Sequence, residues 1–137
     1  MNLKPIGIIH SPYKKRGDAP RQGRNSENLS KIEVFPEFIK GLDNIGAYKN
    51  LIILYWQDRS SRDILKVIPP GQTEKRGVFA TRAPSRPNPI AFCMVDLLEV
   101  KDNILTVRGL DALDGSPLVD IKPHIPDLDC VKQLNSI

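Results

Sequence analysis

The chain of 137 residues is poor in the side chains from which most metal and redox sites are built. It carries two cysteines, Cys93 and Cys130, and two histidines, His10 and His124. They form no His/Cys cluster, so a structural zinc site lacks its ligands and no metal is expected. One disulfide is possible. The start, Met-Asn-Leu-Lys-Pro-Ile, lacks the apolar core of a secretory signal, so reduced thiols and a cytoplasmic location are expected. No Gly-x-Gly occurs, which excludes the glycine turns of a Rossmann dinucleotide site and of a phosphate-binding loop. No serine stands in a nucleophile-elbow context. The longest apolar runs, 51–56 and 90–95, fall far short of the ~20 residues of a membrane helix, and no membrane partner is expected. A sustained 3.6-residue periodicity is missing too, which argues against a helical fold.

Proline, by contrast, is plentiful, and it is concentrated where it matters. In Arg76-Gly-Val-Phe-Ala-Thr-Arg-Ala-Pro-Ser-Arg-Pro-Asn-Pro-Ile90, three prolines fix φ near −65° and remove three N–H donors. Each also drives the residue before it, Ala83, Arg86 or Asn88, towards extended geometry. A stiff loop results, carrying Arg82, Ser85, Arg86 and Asn88. Stiffness lowers the entropy lost when a loop closes on a ligand, so this loop is a candidate binding element.

About eight short apolar segments alternate with turn residues. Strands are expected at 5–10, 30–35, 51–56, 64–68 and 77–81, the last entering the proline loop. Residues 90–100 and 104–109 face each other across Lys101-Asp102-Asn103 as a hairpin. Asp114-Gly115 is a turn pair, and 118–121 a further strand. A short helical turn is expected within 38–45, and the tail from 127 is a short helix or loose. Residues 14–28 form a long polar loop. The pattern predicts an all-β fold with minor helix, a small barrel or sandwich in one domain spanning 1–137.

Net charge is +4 and the pI about 9.2. Lys14, Lys15, Arg16, Arg21 and Arg24 crowd the first long loop. Lys75, Arg76, Arg82 and Arg86 lie in a stretch with no acid before Asp96. Asp111, Asp114, Asp120, Asp127 and Asp129 crowd the last third. Two basic loops and one acidic loop fit a site presenting both signs of charge, with a polyanion as partner.

Three stretches, "IGIIHSPY…PRQG", "RGVFATRAPSRPNPI" and "GLDALDGSPLVDIKPHIPDLD", in this order and spacing, resemble the TrmO (TsaA-like, YaeB-like) tRNA methyltransferases. The resemblance runs from about Pro5 to Asp129. It implies a small β-barrel, not a Rossmann fold, that uses S-adenosylmethionine. It implies a homodimer with the cofactor near the interface. It implies a substrate in tRNA, the threonylcarbamoyl-adenosine beside the anticodon (position 37), methylated at N6. His124 stands where the family usually has tyrosine, and the chain ends soon after Asp129, without the further C-terminal domain of many members.

On that resemblance, each part of the cofactor finds a chemical match. Arg82 or Arg86 can fork a carboxylate or a phosphate. Asp114 or Asp120 suits the ammonium or the sulfonium. Asn88 and the backbone of Leu110 and Ser116 suit the adenine edge. Gln22 closes over the ligand, and Lys122 completes the cofactor set. Asp120, with Asn88, is the expected catalytic pair, Asp120 taking the proton from nitrogen. Lys14, Arg16, Arg21, Arg24 and Arg76 are expected on RNA phosphates. Two alternatives stand beside this expectation: a methyltransferase of another RNA or a small molecule, and a non-catalytic cofactor- or RNA-binding barrel.

Overall fold

A computed structural model describes residues 1–20 and 26–131. Eight strands occur among them: β1 Gly7–His10, β2 Leu29–Val34, β3 Asn50–Trp56, β4 Lys66–Val67, β5 Arg76–Gly77, β6 Ile90–Lys101, β7 Ile104–Arg108 and β8 Pro117–Pro123. One helix, α1, covers Pro126–Asp129, with 3-10 turns at Pro36–Leu42, Ile45–Ala47 and Val78–Ala80. Six strands close a barrel in the order β1-β2-β7-β6-β3-β8, antiparallel throughout, with β8 returning to β1. Closure leaves no open sheet edge. The all-β expectation holds.

Period-two alternation decides which side chains enter the barrel. On β2, Ser30, Ile32 and Val34 are buried while Leu29 and Lys31 are exposed. On β3, Leu51, Ile53 and Tyr55 point inward against Val95 and Cys93 of β6 and Leu118 of β8. Gly7 begins β1 because nothing larger fits. A Cβ there would lie 2.1 Å from the Glu33 carbonyl oxygen. The β6–β7 hairpin turns through Asp102 at φ 55°. Asn103 then ties that end to β2, its side-chain amide donating to the Val34 carbonyl at 2.8 Å.

Two expected strands come out differently. The segment 64–68 pairs only over the two residues of β4, because Pro69 and Pro70 halt it at once. The segment 77–81 is not a strand beyond Gly77. It turns through Val78–Ala80, since Val78 is drawn fully into the interior. Its carbonyl is also wanted by the N–H and the hydroxyl of Thr81, at 3.1 and 2.8 Å. β8 runs two residues past its expected end at 121, pairing Leu51 with Pro123.

Antiparallel closure has one consequence for function. β1, β3 and β7 all run towards the same end of the barrel. The connections 11–28, 57–89 and 109–116 therefore emerge on one rim. The first motif stretch runs off β1 into 11–28, the proline loop lies within 57–89, and the third stretch begins on 109–116 before continuing along β8.

Candidate functional site

The rim is knitted by backbone and side-chain bonds between loops far apart in sequence. Asp114 is its most connected carboxylate. One oxygen accepts from the Ser11 N–H at 2.9 Å and the other from Lys14 Nζ at 2.9 Å. The lysine bond, then the Ser11 N–H, holds the Asp114 carboxyl below the usual carboxylate range. The Asp114 N–H donates to the Tyr13 carbonyl at 2.7 Å, and Gly115 N–H to Ile9 at 2.8 Å. Gly115 sits at φ 83°, a conformation that a Cβ disfavours. Ser11 returns its hydroxyl to the Ala112 carbonyl at 2.7 Å.

Beside this turn, Tyr55 reaches the rim from inside the barrel. Its hydroxyl donates to Asp111 Oδ1 at 2.7 Å. Burial, then the Asp111 charge, pushes the phenol far above its ordinary value, so it stays un-ionised.

The segment just after β3 ties these loops together. Arg59 donates to the Asp114 carbonyl and, at 3.4 Å, to the Lys14 carbonyl. Arg62 donates through Nε to the Pro87 carbonyl at 2.8 Å and through a terminal nitrogen to Asn88 Oδ1 at 3.0 Å. Its guanidinium lies 5.1 Å from the Trp56 ring centre. The Ser61 carbonyl accepts from the Arg86 N–H at 3.1 Å. Arg86 and Asp114 thus bind the same short segment, two residues apart. The available signal was position: paired charges (Asp58, Arg59, Arg62, Asp63) directly follow the most apolar strand.

Arg86 itself turns back on its loop. Its guanidinium donates to the carbonyls of Thr81 at 3.1 Å, Ala83 at 2.9 Å and Val78 at 3.0 Å. Of its five N–H donors, two meet no acceptor among the described residues. Arg86 is therefore a brace of the proline loop, whatever it also offers a ligand. Arg82 lies over the Phe92 ring at 5.3 Å. Asn88 is exposed and gives its oxygen to Arg62, and its amide N–H groups meet no acceptor among the described residues. Leu110 is buried, and Ser116 engages its hydroxyl, N–H and carbonyl within the turn and with Ile9.

Asp120 and Lys122 are not brought to the rim. They pair with each other at 3.0 Å on the outer wall of β8, opposite Leu54 and Ile52. Asp120 lines a cavity of about 560 Å³ near the other end of the barrel, walled by Phe38, Leu42, Ile45 and Tyr48. Ile6, Asp120, Ile121 and Pro123 of the first and third motif stretches line it, but none of the three rim connections does. Lys14 and Arg16 stand exposed on the first loop and Arg76 on β5. Gln22, Arg21 and Arg24 lie outside the described residues. Among the described residues no group of His, Cys, Asp and Glu side chains is arranged to hold a metal ion, and no helix is long and apolar enough to cross a membrane.

The donor set suits a zwitterionic sulfonium nucleoside: guanidinium groups for a carboxylate, the side chains of Asp114 and Asp58 for cationic groups, and a side-chain amide for a base edge. Comparison with known proteins points the same way. Residues 8–130 match the family described as tRNA-methyltransferase O N-terminal domain. An S-adenosyl-L-methionine-binding protein of Archaeoglobus fulgidus is 58% identical over 98% of this chain and 96% of its own length. Crystal structures of TrmO superpose closely. One, at 32% identity and TM-score 0.81, covers 99% of this chain and 62% of that one. Another, from Pseudomonas aeruginosa, at 30% identity and TM-score 0.80, covers 98% and 60%. This chain thus spans about three-fifths of the solved TrmO chains.

Proposed function

Because the chain belongs to the tRNA-methyltransferase O N-terminal domain family, we propose that it is an S-adenosylmethionine-dependent methyltransferase acting on N6 of threonylcarbamoyl-adenosine beside the tRNA anticodon. One observation carries this most. Three loops with the right donor chemistry leave the barrel at a single rim and are locked to one another by Arg59 and Arg62.

The cofactor, for which the Archaeoglobus relative is named, brings an electrophilic methyl on a sulfonium together with its own leaving group. The rim's work is to align donor and acceptor, which supplies up to roughly 7–11 kcal/mol in favourable cases. Arg82, Arg59 and the two remaining donors of Arg86 orient a carboxylate. Asp114, held ionised by Lys14 and Ser11, faces positive charge. The Asn88 amide reads a base edge. The acceptor nitrogen must lose a proton, and Asp111 and Asp114 are the carboxylates that the connection 109–116 carries. Asp120 and Lys122 join only if a second copy sets the outer wall of β8 against the rim, as in a homodimer with the site near its interface. Lys14, Arg16 and Arg76 meet RNA phosphates, so affinity for tRNA weakens with salt by roughly 0.7–0.9 log units per log salt for each phosphate neutralised. The protein acts as one domain, in the cytoplasm with its tRNA substrate.

A second reading has a specific observation behind it. The relative sharing nearly its full length is named for binding the cofactor alone, which fits a non-catalytic binding barrel. Incubation with methyl-labelled cofactor and tRNA, with and without the threonylcarbamoyl group, separates the two. Label in modified tRNA only is the expected result. Cofactor binding with label in neither pool refutes methyl transfer to this substrate.

A further inference from the structure

Phe79 presents its ring to solvent at 79% exposure, the most open aromatic among the described residues. Its backbone is fixed on both sides. The preceding Val78 is fully buried, its N–H bonds the Leu65 carbonyl at 2.9 Å, and its carbonyl accepts from Thr81 and Arg86. The turn therefore displays the ring and cannot fold it inward. Lys75 and Arg76, both exposed, lie four and three residues before it. From Lys75 to Val95 the chain has no acidic residue.

We propose that Phe79 is a stacking platform for one unpaired base of the RNA, with Lys75 and Arg76 holding the adjoining phosphates. The proposal rests on the RNA reading above and adds to it the residue that recognises a splayed nucleotide. A π-face beside cations is the arrangement that binds single strands without reading their sequence, because every base has a face to stack. Unpaired bases alone can offer it. A second copy on the same surface is disfavoured: a two-fold contact repeats the same patch on both sides, setting Lys75 and Arg76 against their own like charges.

The test uses the whole chain, a tRNA anticodon stem–loop and a blunt RNA duplex of equal length, with binding read by anisotropy. Phe79→Ala and Phe79→Leu should each weaken stem–loop binding about 5- to 150-fold. Phe79→Tyr should restore it. Duplex binding, cofactor affinity and the salt slope should not change with any of the three, whereas Arg76→Ala should lower the slope by about 0.7–0.9. If Phe79→Leu binds as wild type does, the contact is not stacking, though the RNA reading stands. If the wild-type chain binds no stem–loop, both fall. If Phe79→Ala instead converts a dimer to a monomer in sedimentation, the ring belongs to a protein interface and the proposal is overturned.

Discussion

Replacing Arg86 probes how the proline loop keeps its shape. The side chain is half-buried and bonds three carbonyls of its own loop at 2.9–3.1 Å. A charged donor to a neutral acceptor contributes roughly 1.5–3 kcal/mol when the pair is well buried. Three bonds from one partly exposed group do not add, so about 2–3 kcal/mol in all is a fair expectation for Arg86→Ala. At about 3–4 °C per kcal/mol for a chain of this size, the thermal midpoint should fall by about 6–12 °C. Arg86→Lys keeps the charge but cannot fork to three carbonyls, so it should lose nearly as much. Hydrogen exchange localises the effect: the amides of Val78, Thr81 and Arg86, bonded to Leu65, Val78 and Ser61, should lose protection before β3 or β6 does. A midpoint within about 2 °C of wild type, with those amides unchanged, would refute the brace and return Arg86 to the ligand alone.

Three further outcomes follow from the geometry. Asp114→Asn should cost about 1–2 kcal/mol at neutral pH by weakening its bonds to Lys14 and Ser11. Because the folded carboxyl lies below its unfolded value of about 3.9, this stabilisation is present above that value and is lost as pH falls through the folded one. The variant should therefore flatten the acid limb of a stability–pH curve below about pH 4. Tyr55→Phe should destabilise by about 1–2 kcal/mol and loosen 109–116 in hydrogen exchange, since the Asp111 bond at 2.7 Å is removed. In an alkaline titration of the wild type, Tyr55 should ionise only as the protein unfolds; its pKa is raised in the fold, so it favours the folded state below about pH 10 and opposes it above. Gly7→Ala must move the Glu33 carbonyl from the new methyl's position and should lower stability by about 1–3 kcal/mol in urea unfolding.

The barrel was legible because its information is local. Alternation on 30–35 and the apolar run at 51–56 are set by which side chains enter the core. Asp102, at φ 55° in the hairpin turn, marks where the chain reverses. The turn at Val78–Ala80 was not legible, because it depends on Arg86 and Leu65 bonding Val78 from elsewhere. The convergence of the motif loops could be guessed from their chemistry, but their placement on one rim needed the strand order. Arg59 and Arg62 were missed for the same reason: their partners, Asp114 and Asn88, are 55 and 26 residues away. Asp120 drew attention as one of a run of aspartates, yet strand pairing opposite Leu54 turns it to the outer wall.

Amide chemical-shift mapping during titration with S-adenosylmethionine tests the rim assignment most directly. Perturbations should gather on Ser11–Lys14, Asp58–Arg62, Arg82–Asn88 and Leu110–Ser116. If they gather instead on Phe38, Ile45, Tyr48 and Ile121, around the cavity at the far end, the rim is not the cofactor site.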